Sequence, residues 1–116
     1  YIGTDIISIR RIENIIILYK NKFLDRIFSI NEKQSALDRY NRYEHLAGKF
    51  AAKEAVKKAL LSASLINRIN LKSIEIINSK TGVPEVVLSD DIKYSYINLS
   101  ISHSDTDAIA SVILSV

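Results

Sequence analysis

The strongest structural signal in the chain lies between Glu44 and Ala63, where the sequence reads EHLAGKFAAKEAVKKALLSA. Alanine, lysine, glutamate and leucine dominate this segment, and all four residue types favour the helical conformation. The segment therefore predicts one long helix. Its small residues recur at helical spacing, which would let another element approach closely along one side. The residues of this stripe are Ala47, Ala51, Ala55 and Ala59.

The segments before this helix predict one strand and two further helices. The opening YIGTDIISI has the alternation of a buried strand and carries one acid, Asp5. An amphipathic helix with a basic exposed side is predicted from about Arg10 to Phe28. A shorter helix, capped by Asn31, is predicted to end at about Tyr40.

The segments after the long helix have the composition of antiparallel strands. LKSIEIIN, from Leu71, and KTGVPEVVL predict a hairpin that turns at Gly82. YINLSIS alternates apolar and polar residues, and AIASVILSV is apolar enough for a central strand. We therefore predict a single α+β domain over residues 1–116, with an antiparallel sheet packed against the long Ala-rich helix.

Size and composition limit the class of protein. One core is expected in 116 residues, and 47% hydrophobic residues indicate a folded chain. The absence of cysteine excludes disulfides and thiolate metal sites, so self-association is the expected way for so small a core to gain stability. No apolar run approaches the roughly 20 residues of a membrane-spanning helix, and no signal-like segment opens the chain. We expect a cytoplasmic protein without a membrane partner.

The net charge of +3 suggests an acidic partner. Nucleic acid, a phosphate-rich cofactor and an acidic protein all satisfy this expectation, and charge alone does not choose among them.

Taken singly, each candidate functional residue also has an ordinary structural explanation. Asp5 in a buried strand needs a partner for its charge, which backbone N–H groups or a salt bridge could supply. Glu54 and Lys58 are spaced as a surface ion pair, although they border the alanine stripe and could face a cleft. His103 could donate to a phosphate or cap a turn. The TGVP segment could be hairpin punctuation, since the chain has no Gly-rich phosphate loop.

Four segments, read together, follow a distinctive order and spacing along nearly the whole chain. They are GTDIISIRRIE, LAGKFAAKEAVKKAL, TGVP and SISHS. This combination resembles the bacterial holo-acyl-carrier-protein synthases. The most specific matches are the GTDI opening and the FAAKEA core, which has a second lysine four residues beyond its glutamate. The resemblance implies a 4′-phosphopantetheinyl transferase-like fold and a homotrimer with active sites between subunits.

The resemblance also implies a reaction. The 4′-phosphopantetheine group of coenzyme A would move to a serine of apo acyl carrier protein, with magnesium, in fatty acid biosynthesis. Asp5 and Glu54 match the family's Mg²⁺ ligands, and this hard cation is commonly held by one or two carboxylates together with phosphate oxygens. Lys58 would stabilise the phosphates while the serine attacks the β-phosphorus and adenosine 3′,5′-bisphosphate leaves. The base would be Glu54 or a metal-bound water.

Cofactor-binding residues follow from the same resemblance. The TGVP turn and the SISHS strand match segments that line the coenzyme A cleft in the family. Two lysines of the long helix would serve the phosphates or face only solvent. The residues so implied are Gly82, Pro84, His103 and Ser104, with Lys49 and Lys53.

The basic first helix has the place of the family's docking surface for the acidic carrier. Arg10 and Arg11 would steer the encounter by complementary charge, or would belong to an ordinary solvated helix face. The segment SLINRI, residues 64–69, departs from the family because it lacks the Gly-rich texture often seen after the long helix. This departure concerns local loop contacts and not the two acids.

Two rival functions belong to other classes. A small basic nucleic-acid-binding module would concentrate its charge or stack aromatic residues on its strands. Here the basic residues are spread over several segments, and that signature is absent. A non-catalytic assembly subunit is the second rival, and the joint presence of Asp5, Glu54 and Lys58 argues against it.

Overall fold

In the computed structural model, which describes residues 1–116, two antiparallel sheets pack against one long helix. The three-stranded sheet has the order β1-β5-β4, and the two-stranded sheet is the hairpin β2-β3. The α+β prediction with antiparallel strands is therefore confirmed. The helices are α1 (Ile9–Tyr19), α2 (Asn21–Ile27), α3 (Ile30–Leu37) and α4 (Arg42–Ser62). The strands are β1 (Ile2–Ser8), β2 (Ile74–Asn78), β3 (Pro84–Leu88), β4 (Tyr96–His103) and β5 (Asp107–Ser115).

The alanine stripe of α4 lies directly against β1 because Gly3 has no side chain. A Cβ atom at Gly3 would sit 1.8 Å from the carbonyl oxygen of Ala55 and 3.0 Å from the amide nitrogen of Ala59. Any other residue would push the strand away from the helix, because a packed interior has no room for the extra atom. Asp5 lies two residues further along the same face of β1 and is therefore also directed toward α4.

The central strand of the three-stranded sheet is β5, as its apolar sequence predicts. Ile97, Leu99 and Ile101 of β4 pack against the core, which confirms the predicted alternation. The prediction of a buried first strand is wrong for the outer face of that strand. β1 is an edge strand, and Ile2 and Ile6 on its outer face are 73% and 63% exposed.

The predicted helix from Arg10 to Phe28 is divided into α1 and α2. Lys20 interrupts it with a φ of 50°, a left-handed value that a right-handed helix cannot continue. The predicted cap Asn31 lies inside α3, whose cap is Ser29. The Ser29 hydroxyl accepts from the Glu32 amide at 3.2 Å, and Glu32 accepts from the Ser29 amide at 2.8 Å. This reciprocal capping box positions Glu32 in the core.

The end of α4 is closed by a left-handed residue. Ser64 has a φ of 58°, and the amide of Leu65 donates to the carbonyl of Leu60 at 3.1 Å. This arrangement satisfies carbonyl groups that the helix end would otherwise leave without partners. Neither α4 nor any other helix has the length and apolar character needed to cross a membrane.

Candidate active site

Lys58 on α4 joins the helix to the edge strand β1. Its ammonium group lies 2.9 Å from Oδ1 of Asp5 and donates to the carbonyl of Thr4 at 3.0 Å. Glu54 stands one helical turn before Lys58, is half-buried and has no hydrogen bond or salt bridge within the chain. We call Asp5, Glu54 and Lys58 the acidic seam. The structure thus brings Asp5 and Lys58 into direct contact, with Glu54 on the adjacent turn.

The donor set of the acidic seam fits a magnesium ion. It offers two carboxylates, and no group of three His, Cys, Asp or Glu side chains anywhere in the structure forms a closed protein site. Mg²⁺ dehydrates reluctantly and is usually held by one or two carboxylates, with water and substrate phosphate completing its shell. The Lys58 ammonium occupies only Oδ1 of Asp5. Oδ2 of Asp5 and the Glu54 carboxylate have no partner within the chain.

A second feature is a cavity of about 230 Å³ at the first turns of α4. Its walls come from three parts of the fold: the start of α4, the β2-β3 hairpin and the end of β4. Four of the predicted cofactor-binding residues lie in these walls. The residues that line the cavity include Asn41, Glu44, His45, Lys49, Gly82, Pro84 and His103.

The cavity and the acidic seam are separated along α4. Glu44 of the cavity precedes Glu54 by ten residues, which is about 15 Å along the helix axis. Asp5, Glu54 and Lys58 do not line the cavity. Within one chain, the predicted metal ligands and the predicted cofactor-binding residues of the cavity therefore form two separate groups.

Two predicted cofactor-binding residues, Ser104 and Gly82, have local structural roles in turns. The Ser104 hydroxyl accepts from the amides of Thr106 and Asp107, at 3.2 and 3.1 Å, and so closes the turn between β4 and β5. Ser104 does not line the cavity. Gly82 does line it, and its φ of 85° shows that the hairpin turn requires glycine here.

Lys53 does not face phosphate or solvent. Its side chain is fully buried, and its ammonium lies 2.7 Å from the equally buried carboxylate of Glu32 and donates to the backbone carbonyls of Leu71, just before β2, and Ile74, at the start of β2. Lys49 is also buried and donates to the carbonyl of Ile76 at 2.7 Å. Burial lowers the pKa of both lysines, and the negative charge of Glu32 opposes this effect. The expectation that Lys53 binds phosphate is therefore wrong, because a fully paired, buried ammonium serves the fold.

Three cavity residues were not identified as site residues from the sequence. Glu44 lies 2.9 Å from Nδ1 of His103 and accepts from the side-chain amide of Asn41 at 3.1 Å. Burial, together with the charges of Lys49 and Arg39, lowers the pKa of His45 to about 4, so the ring is neutral near pH 7. No local motif marks Asn41, Glu44 or His45, because their roles depend on β4 reaching the first turn of α4.

The basic helix α1 presents an open groove. Arg10 and Arg11 are exposed and line it together with Ser8, Asn14 and Leu18. Leu18 is 72% exposed, so the groove combines positive charge with apolar surface. A surface that combines arginine with exposed apolar side chains is more typical of a protein-binding site than of a surface that contacts only solvent.

The comparisons with known proteins agree with one another. A family model described as "4'-phosphopantetheinyl transferase superfamily" matches residues 1–113. A holo-[acyl-carrier-protein] synthase from Clostridium kluyveri is 44% identical over 122 residues, which covers 99% of this chain and 89% of that protein.

Solved structures show the same similarity in three dimensions. The Helicobacter pylori holo-[acyl-carrier-protein] synthase in complex with coenzyme A is 35% identical, with a TM-score of 0.87 over 99% of this chain and 100% of that one. The Bacillus anthracis synthase, in complex with "CoA (3',5'-ADP)", is 36% identical, with a TM-score of 0.81 over 98% and 94%. This chain therefore belongs to the 4′-phosphopantetheinyl transferase superfamily, in which it stands with the holo-[acyl-carrier-protein] synthases.

Proposed function

We propose that this protein transfers the 4′-phosphopantetheine group of coenzyme A to a serine of an apo acyl carrier protein, with magnesium, and supports fatty acid biosynthesis in the cytoplasm. The observation that carries the proposal is the nearly full-length similarity, in sequence and in fold, to a synthase that binds coenzyme A. The acidic seam has groups that suit the chemical step, and the cavity has groups that suit the binding of coenzyme A.

The acidic seam would carry the chemical step. Asp5 and Glu54 would hold Mg²⁺, which when bound neutralises charge on the pyrophosphate. The Lys58 ammonium is placed to stabilise phosphate oxygens beside Asp5. The serine Oγ attacks the β-phosphorus, the bond to the leaving phosphate breaks, and adenosine 3′,5′-bisphosphate departs. Glu54, which has no partner within the chain, is a base that can accept the serine proton.

The cavity would hold the nucleotide end of coenzyme A. Its volume of about 230 Å³ is small for a whole cofactor, so it suits one end of a long molecule. Lys49 and His103 are among the residues of its walls that have side-chain nitrogen groups, and Gly82 and Pro84 lie on the hairpin side. Ser104 would contribute through the turn that it closes.

A homotrimer would join the two halves of the site. Because the cavity and the acidic seam are separate groups of residues within one chain, one molecule of coenzyme A would meet the cavity of one chain and the acidic seam of another. The outer face of the three-stranded sheet is apolar enough to be covered by neighbouring chains, since Ile2, Ile6 and Ile113 are more than half exposed.

The central experiment is a mass-shift assay. Purified protein, Mg²⁺, coenzyme A and apo acyl carrier protein should yield a carrier that is heavier by one phosphopantetheine. Replacing Glu54 with Gln should lower the rate by about 100-fold or more, since a metal ligand and base is lost. The exposed Glu85→Gln is the matched control and should keep the wild-type rate. An unchanged carrier mass with wild-type protein would refute the function.

The composite site has its own test. At a coenzyme A concentration well below the wild-type KM, Glu54→Gln should be nearly inactive and His103→Ala should be slow because it binds the cofactor weakly, but co-refolded mixtures should regain part of the activity because some mixed sites contain both native residues. A mixture no more active than the average of the two variants would show that each site lies within one chain. Size-exclusion chromatography with light scattering should give three times the chain mass.

A further inference from the structure

The cavity contains an acidic residue where a phosphate-bearing cofactor would be repelled by a free carboxylate. Glu44 stands in the first turn of α4, and His103 ends β4. The Glu44 carboxylate lies 2.9 Å from Nδ1 of His103 through one oxygen, and accepts from the Asn41 amide at 3.1 Å through the other. Both oxygens of Glu44 are therefore engaged, and all three residues line the cavity.

We propose that Glu44, held by Asn41, is a positioning residue that sets which ring nitrogen His103 offers to the cofactor. The proposal rests on the function proposed above and adds a residue to it. A carboxylate can only accept hydrogen bonds, so Nδ1 of His103 carries the proton of this contact. The ring orientation and the tautomer are set together, and Nε2 is the nitrogen left for a ligand.

The placement of the pair supports a role in binding more than one in folding. The side chains of Glu44 and His103 are 28% and 52% exposed, and an exposed pair of this kind contributes little to stability. The neighbouring ring of His45 is half-buried and neutral, and so does not compete for the Glu44 charge. Histidines that bind metal ions commonly donate one ring N–H to a carboxylate, which fixes the ring and leaves the other nitrogen for the ligand. His103 and Glu44 have the same arrangement.

The first test uses the ring itself and does not depend on catalysis. The chain has two histidines, so long-range ¹H–¹⁵N spectra of ¹⁵N-histidine protein can be assigned with His45→Phe. Wild-type His103 should show a protonated Nδ1, and coenzyme A should shift the Nε2 signal. In Glu44→Ala the ring should lose its fixed tautomer. An unchanged His103 spectrum in Glu44→Ala would overturn the proposal, even in a protein without transferase activity.

The second test is a double-mutant cycle on the KM for coenzyme A. Glu44→Ala should raise this KM by about three- to tenfold with kcat within about twofold, because a positioning contact and not a reacting group is lost. Glu44→Gln should recover part of the loss. In the His103→Ala background, Glu44→Ala should have no further effect. Additive effects in the double variant would overturn the proposal, and the exposed Glu85→Ala serves as the control for charge.

Discussion

The lysines of α4 have different roles, which depend on the side of the helix on which each one lies. Lys53 is fully buried against Glu32, while Lys58 is half exposed and bridges to Asp5. A buried charge needs its partner because the interior does not solvate it, whereas an exposed pair remains free to exchange its partner for a ligand. This difference makes Lys58, not Lys53, the lysine available to a substrate phosphate.

His45 gives the protein a pH dependence of stability. Its pKa falls from the ordinary 6.5 to about 4 on folding, so the unfolded chain binds more protons between these values. The stabilisation is fully present above pH 6.5 and is lost as the pH falls toward 4. We expect acidification to cost about 1–2 kcal/mol through this residue, less than the full shift implies because solvent near the partly exposed ring screens its charge.

Urea unfolding of wild-type protein and His45→Phe at several pH values between 7.5 and 4.5 measures this effect. The free energy of unfolding of His45→Phe should fall less steeply over that range. Parallel curves for the two proteins would show that His45 does not contribute.

At the scale of elements, the end of α4 contains a conformation that its residue does not favour. Ser64 has a φ of 58°, which places its Cβ close to the following carbonyl group. Glycine is the usual residue at this position after a helix, because it has no Cβ to clash. The SLINRI segment therefore keeps the backbone turn of a glycine-ended helix without the glycine.

Ser64→Gly should raise the free energy of unfolding by about 0.5–1 kcal/mol, since the left-handed strain is removed. Ser62→Gly, two residues earlier in the last turn of α4, should lower it by a similar amount because glycine is unfavourable in a regular helix. Thermal or urea unfolding of both variants checks the pair. A destabilised Ser64→Gly would contradict the interpretation.

At the scale of the whole molecule, buried charges attach the β2-β3 hairpin to the helices. Glu32 on α3 accepts from the amide of Ile76 at 2.8 Å, and Lys53 and Lys49 donate to carbonyls in and just before β2. The hairpin forms no ladder with the other sheet, so these contacts and the apolar core position it. One wall of the cavity therefore depends on this network, and Lys49 and Ile76 belong to both.

Lys53→Met should destabilise the protein by about 3–5 kcal/mol, because it leaves the Glu32 carboxylate buried without its counter-charge. Adding Glu32→Gln should restore part of the loss, since the amide oxygen can still accept while the charge is gone. Lys58→Met, at the exposed pair on the same helix, should cost less than about 1 kcal/mol. Equal effects of the two lysine substitutions in urea unfolding would contradict this account.

The groove on α1 should make transfer depend on salt. Arg10→Glu/Arg11→Glu should lower kcat/KM for the carrier by about tenfold or more at low ionic strength, because an attractive encounter becomes repulsive. Added salt should slow the wild-type protein and speed the variant, because it screens the attraction in one and the repulsion in the other. The exposed pair Arg68→Glu/Lys93→Glu makes the same change in charge elsewhere and should behave as wild type.

The sequence by itself determined the local order of the chain. The helix of α4, the β2-β3 hairpin, the alternation of β4 and the central place of β5 all follow from composition and periodicity, which act between near neighbours. The two acids and the lysine of the acidic seam were also identifiable, because each lies within a short contiguous motif.

Tertiary structure alone decided which side of each element meets another. The sequence pattern did not show that Lys53 is buried against Glu32, that Glu44 contacts His103, or that the acidic seam lies outside the cavity. Each of these contacts joins residues far apart in the chain. Their pairing depends on how the sheets pack across one helix, and local propensity contains no information about that packing.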